Sequence, residues 1–232
     1  MISSTEIIDR ARQEGRTVLT EIESKQLLAS LGIRTTEMRL ATSKQEAVAM
    51  SREIGYPCVL KVSSPDITHK SDAGGVKVGL KSEDEVAKAY DAIMASCLGK
   101  FPDAAIEGVT VQNMAAPGLE VIVGMATDPQ FGPVLMFGLG GVWVEVLKDV
   151  SFKIAPLTKA DAAKAVREIR AARLLDGFRG SAAVDTSALE DILLRVSDFV
   201  VATPEVKEMD LNPIFAYPDG AIAVDARVIL GE

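Results

Sequence analysis

The sequence predicts an α/β (α+β) fold, because helical and strand patterns alternate along its 232 residues, 48% of which are apolar. Four stretches with helical spacing of apolar residues follow a capping signature, in which Ser or Thr precedes Glu by three residues. These signatures begin at Thr20, Ser43, Ser82 and Ser187. A chain of this length and composition can bury a substantial core, either as one large domain or as two lobes.

Runs rich in apolar and β-branched residues separate these helices and predict strands. The predicted strands cover 57–62, 75–80, 108–114, 120–127, 133–138, 142–147 and 221–228. Between 108 and 155, strand follows strand with Gly and Pro turns and no intervening helix. This part of the chain therefore predicts an antiparallel sheet rather than a series of βαβ units.

Three segments follow from this pattern. Residues 1–20 are charged and amphipathic and predict an N-terminal helical segment. A change of character near Gly108 predicts two lobes, 21–107 and 108–232, joined through the segment VQNMAAPG. A cleft between lobes is a common place for a ligand to bind.

Charge and composition exclude several classes of partner. The net charge of −8 and a pI near 4.9 argue against nucleic acid or an anionic membrane as the main partner. No apolar run is long enough to span a bilayer and no signal core is present, so we expect a cytoplasmic protein. Cys58 and Cys97 lack the spacing of metal ligands and are expected to be buried and reduced.

Two features suit a nucleotide, although the P-loop and dinucleotide signatures are missing. Lys61 ends an apolar strand, where it could aim its ammonium group into a cleft or remain a solvated strand end. Gly74 and Gly75 precede a strand, so their amides could approach phosphate oxygens, or the pair could form a hairpin turn.

A set of oxygen-bearing side chains lies near the end of the sequence. Asp210 and Asn212 are two residues apart and share one face of a strand, and Asp225 lies where a returning strand would face them. Such hard oxygen ligands suit Mg²⁺ shared with substrate phosphates. The spacing alone is equally compatible with a turn-rich hairpin that carries solvated carboxylates.

His69 is the only histidine and lies in the polar stretch SPDITHKSDAGGVKVGL. Neutral imidazole is a nucleophile near neutral pH and can accept a phosphoryl group. A single histidine can equally be an ordinary surface or core residue.

Five stretches together resemble the β subunit of the ADP-forming acetyl-CoA synthetases, also called NDP-forming acyl-CoA synthetases. They are GYPCVLKV, SSPDITHKSDAGGVKVGL, VQNMAAPGLEVIVG, FGLGGVWVEVLKDVSFKIAPL and EMDLNPIFAYPDGAIAVDARV. The resemblance extends from about Glu21 to Val228, and HKSDAGGV is its most specific element. It implies the ATP-grasp fold, in which two α/β lobes grip a nucleotide, and a relation to the β subunit of succinyl-CoA synthetase. The implied cofactors are ADP or ATP and Mg²⁺.

The resemblance implies a role for each candidate residue. His69 would collect phosphate on a swinging loop and deliver it to ADP, with Asp210 orienting the imidazole by a hydrogen bond. The related enzymes commonly carry Glu at the position of Asp210, and the shorter side chain weakens that assignment. Asn212 and Asp225 would bind Mg²⁺, and Lys61 would neutralise phosphate charge.

The remaining roles concern the nucleotide. The amides at Gly74 and Gly75 would approach its phosphates, and Glu120 would contact its ribose or polar edge. The adenine would be read by backbone groups of three hinge residues, Gln112, Asn113 and Met114. Glu145 and Lys148 also match the family pattern, but the resemblance implies no chemical role for them.

The resemblance also implies a partner, because this chain has one histidine and no recognisable CoA-binding lobe. An α subunit would bind CoA and transfer the acyl group, in an α2β2 assembly. Two other classes stay open: a self-contained ATP-grasp carboxylate ligase, and a non-catalytic nucleotide-binding regulatory module. The acyl group, the preference for ADP or GDP and the physiological direction do not follow from this sequence.

Overall fold

The computed structural model describes residues 2–67, 70–141 and 148–231, which form two compact units. The larger unit comprises Met1–Thr35 and Pro117–Glu232, and the smaller comprises Thr36–Ala116. Each unit has its own hydrophobic core. The chain therefore passes between the units twice, and VQNMAAPG contains the second crossing, as the sequence predicts.

The helices and strands are named here in chain order. The helices are α1 (Ser4–Gln13), α2 (Glu21–Ser30), α3 (Lys44–Ile54), α4 (Glu83–Lys100), α5 (Lys159–Glu168) and α6 (Thr186–Ala202). The strands are β1 (Met38–Ala41), β2 (Cys58–Ser63), β3 (Val76–Leu80), β4 (Gly108–Asn113), β5 (Leu119–Asp128), β6 (Gly132–Leu139), β7 (Val150–Ile154), β8 (Val206–Tyr217), β9 (Gly220–Ala223) and β10 (Arg227–Leu230). Within the described ranges, no helix has the length and hydrophobicity needed to cross a membrane.

The smaller unit is a four-stranded antiparallel sheet in the order β1-β4-β2-β3, packed with α3 and α4. Alternate residues of β2, such as Cys58 and Leu60, are buried in the core with Ile93 of α4. Cys58 and Cys97 are buried and free, and burial raises the pKa of the Cys58 thiol to about 11. The prediction of buried, reduced cysteines is confirmed.

The larger unit is a six-stranded antiparallel sheet in the order β10-β8-β5-β6-β7, with β9 paired to β8. One face of this sheet is buried in the core, which includes Phe137 of β6, Leu211 of β8 and Leu193 of α6. Leu27 and Leu28 of α2 belong to the same core. Alternation along β5, β6 and β8 leaves the other face of the sheet available for a site.

The predicted helix starts are confirmed at three of four positions. Thr20 forms a capping box with Glu23, and Ser43 and Ser82 are the N-caps of α3 and α4. The prediction at Ser187 is wrong, because Asp185 is the N-cap of α6. Its carboxylate accepts hydrogen bonds from the N–H of Ala188 and from the Ser187 hydroxyl, so Ser187 lies inside the first turn.

The predicted strands at 57–62, 75–80, 108–114, 120–127 and 133–138 are confirmed as β2 to β6. The strand expected at 142–147 lies outside the described residues. The single strand expected at 221–228 is wrong, because β9 and β10 are separate strands that pair with different parts of β8. Residues 224–226 connect them.

Both predicted domain boundaries need correction. The boundary at 107/108 is wrong because β4 pairs with β1 and β2, which places it in the smaller unit. The boundary at 20/21 is wrong because α2 packs in the core of the larger unit, together with α1. The described units are therefore discontinuous in sequence, since residues 1–35 fold with 117–232.

Candidate functional site

A cavity of about 590 Å³ lies on the face of the larger unit's sheet opposite its core, and Asp210 and Asn212 both line it. The intervening Leu211 and the preceding Met209 are buried in the core. Alternation along β8 therefore puts the two polar side chains on one face, as the spacing predicts.

Asp225 lies beside this pair, at the point where the chain returns from β9. The backbone N–H of Asn212 donates to the Asp225 carbonyl at 3.3 Å, and the N–H of Val224 donates to the Pro213 carbonyl at 2.9 Å. The Asp225 carboxylate accepts a hydrogen bond from the N–H of Ala226 at 2.8 Å. The predicted placement of Asp225 facing Asn212 is confirmed at the level of the backbone.

The surroundings of Asp210 favour the neutral form of its carboxyl group. Asp210 is reached from the cavity, but the concave wall removes part of its hydration. This burial raises the pKa of Asp210, the charge of Asp225 raises it further, and Arg227 opposes the rise. Nearby cations or hydrogen-bond donors would therefore stabilise the charged form of Asp210.

Arg227 is a residue that the sequence reasoning missed. It starts β10, pairs directly with Asp210 in the strand register and lines the same cavity. The next residue, Val228, is buried in the core, so alternation alone would have placed Arg227 on the face of Asp210. The segment AVDARV shows the alternation of Arg227 with buried residues, but only the register of β10 on β8 shows that Arg227 is opposite Asp210.

Lys61 lies within β2 in the smaller unit, paired with Val76 and Thr110. Its side chain is 7% exposed, so the reading of a solvated strand end is wrong. The neighbours of Lys61 in β2, Leu60 and Val62, belong to the core, so Lys61 lies on the opposite face of the sheet. A buried ammonium group is costly unless polar or charged groups compensate it.

Gln112 lies on the same face of the smaller unit's sheet as Lys61, since Val59 and Lys61 pair with Gln112 and Thr110. The side chains of Gln112 and Thr110 are both 2% exposed. This face therefore carries several buried polar side chains, which distinguishes it from the apolar face against α3 and α4.

The hinge residues Asn113 and Met114 have their backbone N–H groups engaged within the smaller unit. The N–H of Asn113 donates to the Glu37 carbonyl at 3.3 Å, and the N–H of Met114 donates to the Pro57 carbonyl at 3.2 Å. Both donors are already engaged, so they do not offer a free N–H to an adenine edge. The buried Asn113 Oδ1 has no hydrogen-bond partner among the described residues, and it is an acceptor that a ligand could use.

The N–H groups of Gly74 and Gly75 both donate to carbonyl oxygens of the residues just before them. The N–H of Gly74 donates to the Ser71 carbonyl at 2.9 Å, and that of Gly75 donates to the Lys70 carbonyl at 2.8 Å. Glycine is needed at both positions because a larger side chain would not fit. A Cβ at Gly74 would lie 2.5 Å from Ser96 Oγ, and one at Gly75 would lie 2.5 Å from a Val62 methyl carbon.

Glu120 is held at one end of β5 by the turn that follows β6. The Glu120 carbonyl accepts the N–H of Gly140 at 2.7 Å. A Cβ at Gly141, which has φ of +61°, would lie 2.9 Å from Glu120 Oε2. The two glycines therefore leave room for the Glu120 carboxylate, which is half-buried in the larger unit.

Two candidates of the sequence, His69 and Glu145, lie outside the described residues. The segments that flank residues 68 and 69 are anchored to the smaller unit. Ile67 is buried in its core, and the N–H of Ala105 donates to Asp66 Oδ2 at 2.7 Å. On the other side, Lys100 Nζ donates to the Asp72 carbonyl at 2.7 Å.

Lys148 lies within the described residues, where its side chain is exposed and its backbone has φ of +48°. The next residue, Asp149, is buried and accepts the N–H groups of Arg170 at 2.7 Å and Ala171 at 2.8 Å. These bonds assign a structural role to Asp149, as an anchor for the chain after α5. They leave the role of Lys148 unassigned.

Comparison with known proteins identifies the family. Residues 10–230 match the ATP-grasp domain family. The β subunit of acetate–CoA ligase [ADP-forming] I from Pyrococcus furiosus is 52% identical over 225 residues, which cover 97% of each chain. Acetate–CoA ligase [ADP-forming] I from Archaeoglobus fulgidus is 48% identical over 227 residues, which cover 98% of this chain and only 33% of that longer one.

A solved structure gives the same result. Acetyl-coenzyme A synthetase 1 of Ca. Korarchaeum cryptofilum, in complex with coenzyme A and Ca-AMPCP, superposes with a TM-score of 0.96 at 51% identity and covers 98% of this chain and 100% of that chain. The same enzyme was also solved with Mg-AMPPCP and with its phosphohistidine segment pointing towards the nucleotide-binding site. That structure superposes with a TM-score of 0.87 at 48% identity, and it covers 98% of this chain and 100% of that chain. The chain therefore belongs to the ATP-grasp family and, within it, to the β subunits of the ADP-forming acetate–CoA ligases.

Proposed function

We propose that this chain is the nucleotide-binding phosphotransfer subunit of an ADP-forming acyl-CoA synthetase. The reaction is acyl-CoA + ADP + phosphate = carboxylic acid + ATP + CoA. The observation that carries the proposal is the cavity in the larger unit, which Asp210 and Asn212 line on one face of β8. Asp225 is next to them, because its carbonyl accepts the backbone N–H of Asn212. Such oxygen donors suit a cation that is shared with nucleotide phosphates.

The residues present fit Mg²⁺. Asn212 and Asp225 would hold it through side-chain oxygens, and the ion, when bound, would neutralise part of the polyphosphate charge. Among the described residues, no group of three or more His, Cys, Asp or Glu side chains could hold a metal ion. Mg²⁺ bound with a nucleotide is usually held by one or two protein carboxylates, and phosphate oxygens and water complete its coordination.

His69 would carry the phosphoryl group. Its imidazole nitrogen forms a P–N bond as the bond between phosphorus and the donor's leaving group breaks. A terminal phosphate oxygen of ADP then forms a P–O bond as the P–N bond breaks, which gives ATP and frees the imidazole. Asp210 would orient the imidazole by accepting a hydrogen bond from its N–H. The single histidine of the chain supports one phosphate-carrying position in this subunit.

Other residues would hold the nucleotide. Lys61, buried on a polar sheet face, would neutralise phosphate charge, and Glu120 would contact the ribose or another polar edge. Because the N–H groups of Asn113 and Met114 are engaged, the adenine would be read by carbonyl oxygens of Gln112 to Met114 or by Asn113 Oδ1. Gly74 and Gly75 would let the backbone of their loop approach the nucleotide phosphates.

The acyl chemistry would take place on a partner α subunit with CoA-binding and acyl-transfer domains, in an α2β2 assembly in the cytoplasm. The Archaeoglobus relative supports this, because this chain matches only 33% of its length. The rest of that longer chain would correspond to the α subunit. The acyl preference would then be determined by the partner.

Reconstitution tests the proposal. The purified chain is expected to bind Mg-ATP but to make no acyl-CoA until an α subunit from the same family is added. Acyl-CoA formation from acid, CoA and ATP is the measurement, with each subunit alone as the control. Synthesis by this chain alone, at the rate of the mixture, would contradict the subunit assignment and favour a self-contained carboxylate ligase. Binding of Mg-ATP without activity in the mixture would favour a non-catalytic nucleotide-binding regulatory module.

A further inference from the structure

Arg227 is the only cationic side chain among the described residues that line the cavity. The charged residues that share the lining with it are all carboxylates: Asp128, Glu208 and Asp210. Val228 and Leu230 are buried in the core, which fixes the orientation of β10 and keeps Arg227 on the cavity side. The position of the guanidinium group is therefore set by the fold rather than by a surface loop.

The guanidinium of Arg227 has no bonding partner within the described part of the chain. It makes no hydrogen bond there and no ion pair within 4.0 Å, although it is directly opposite Asp210 in the register. Other arginines of the same unit are held by carboxylates: Arg16 by Glu23, Arg167 by Asp176 and Arg195 by Asp191. The donors of Arg227 are thus available to a ligand in the cavity.

The charge balance of the cavity requires such a group. A polyphosphate brings several negative charges next to the three lining carboxylates, and a single divalent cation offsets only part of them. A planar guanidinium can donate two parallel hydrogen bonds to two oxygens of one phosphoryl group, a fixed geometry that an ammonium group lacks.

We propose that Arg227 binds the oxygens of the phosphoryl group that passes between the nucleotide and His69. This inference rests on the proposed function, which assigns His69 as the phosphate carrier and Asp210 as the acceptor of its hydrogen bond. Arg227 faces Asp210 and is two residues from Asp225, the residues proposed to contact the imidazole and Mg²⁺. We therefore expect it to contact the transferred phosphoryl group rather than the rest of the nucleotide. Arg227 thereby distinguishes ATP from ADP.

Binding measurements test this directly. Arg227→Gln is expected to weaken the affinity for the Mg²⁺ complex of a non-hydrolysable ATP analogue by about 10-fold to 100-fold, the effect of losing charge-assisted hydrogen bonds. Affinity for Mg-ADP should stay within about threefold, because ADP lacks the group that Arg227 contacts. The affinity of Arg227→Lys for the ATP analogue should fall between those of the wild type and Arg227→Gln, since Lys keeps the charge but loses the two-point contact.

Arg10→Gln is the matched control, because Arg10 is exposed on α1 in the same unit and does not line the cavity. It removes one positive charge from the unit and should bind both nucleotides like the wild type. Calorimetry on the purified chain gives both affinities without any turnover.

If the wild type binds the analogue and Arg227→Gln binds it equally well, the inference about Arg227 is wrong and the proposed function stands. If the wild type binds neither nucleotide, both are overturned.

Discussion

His69→Asn is expected to abolish acyl-CoA-dependent ATP formation by the complex reconstituted with an α subunit. The amide of Asn is close in size to imidazole and keeps hydrogen-bonding capacity, but it cannot form the P–N bond. No second histidine in this chain can replace it. The expected loss is the whole activity above background, measured as ATP formed from acyl-CoA, ADP and phosphate.

Ser71→Ala is the control for this variant. Ser71 lies two residues away, is exposed, and uses its backbone carbonyl to accept the N–H of Gly74, a bond that the substitution retains. Its activity should match the wild type, and both variants should bind Mg-ADP normally. Substantial turnover by His69→Asn would show that the phosphate carrier lies elsewhere.

Replacing Asn212 or Asp225 with Ala is expected to lower the rate of Mg-nucleotide-dependent phosphoryl transfer by about tenfold or more. Each change removes one oxygen ligand from the ion that neutralises the polyphosphate. The concentration of Mg²⁺ needed for half-maximal rate should rise in both variants, which separates a loss of metal binding from a loss of nucleotide binding.

Asp219→Asn is the matched control for the metal ligands. Asp219 is an exposed carboxylate in the turn between β8 and β9, outside the cavity lining. Its Mg²⁺ titration should overlay that of the wild type. Unchanged titrations in Asn212→Ala and Asp225→Ala would mean that these residues only shape the hairpin, which is the alternative that their spacing leaves open.

Local patterns predicted much of the fold. The strand alternation around Asp210 and Asn212 is a local property, and β8 realises it because Met209 and Leu211 must be buried. The helix starts at Thr20, Ser43 and Ser82 depend on side chains only three residues apart. These features could be predicted because the interactions that create them lie within a few residues in the sequence.

Long-range pairing decided the features that sequence patterns did not give. β4 looks like the first strand of the 108–155 series, but it pairs with β1 and β2 from much earlier in the chain. The register of β10 on β8 determines that Arg227 faces Asp210. The packing of Gly74 against Ser96 of α4 and of Gly75 against Val62 of β2 also depends on elements outside their own loop.

The central claim is that this chain moves phosphate between a nucleotide and His69, and a labelling and chase experiment tests it most directly. The purified wild-type chain is incubated with Mg-ATP labelled in the γ-phosphate, freed of nucleotide and then mixed with Mg-ADP. We expect a protein-bound phosphate that is labile in acid and stable in alkali, absent from His69→Asn, and recovered as labelled ATP after the chase. A wild-type chain that takes up no label, or that keeps its label in the presence of ADP, would contradict the claim.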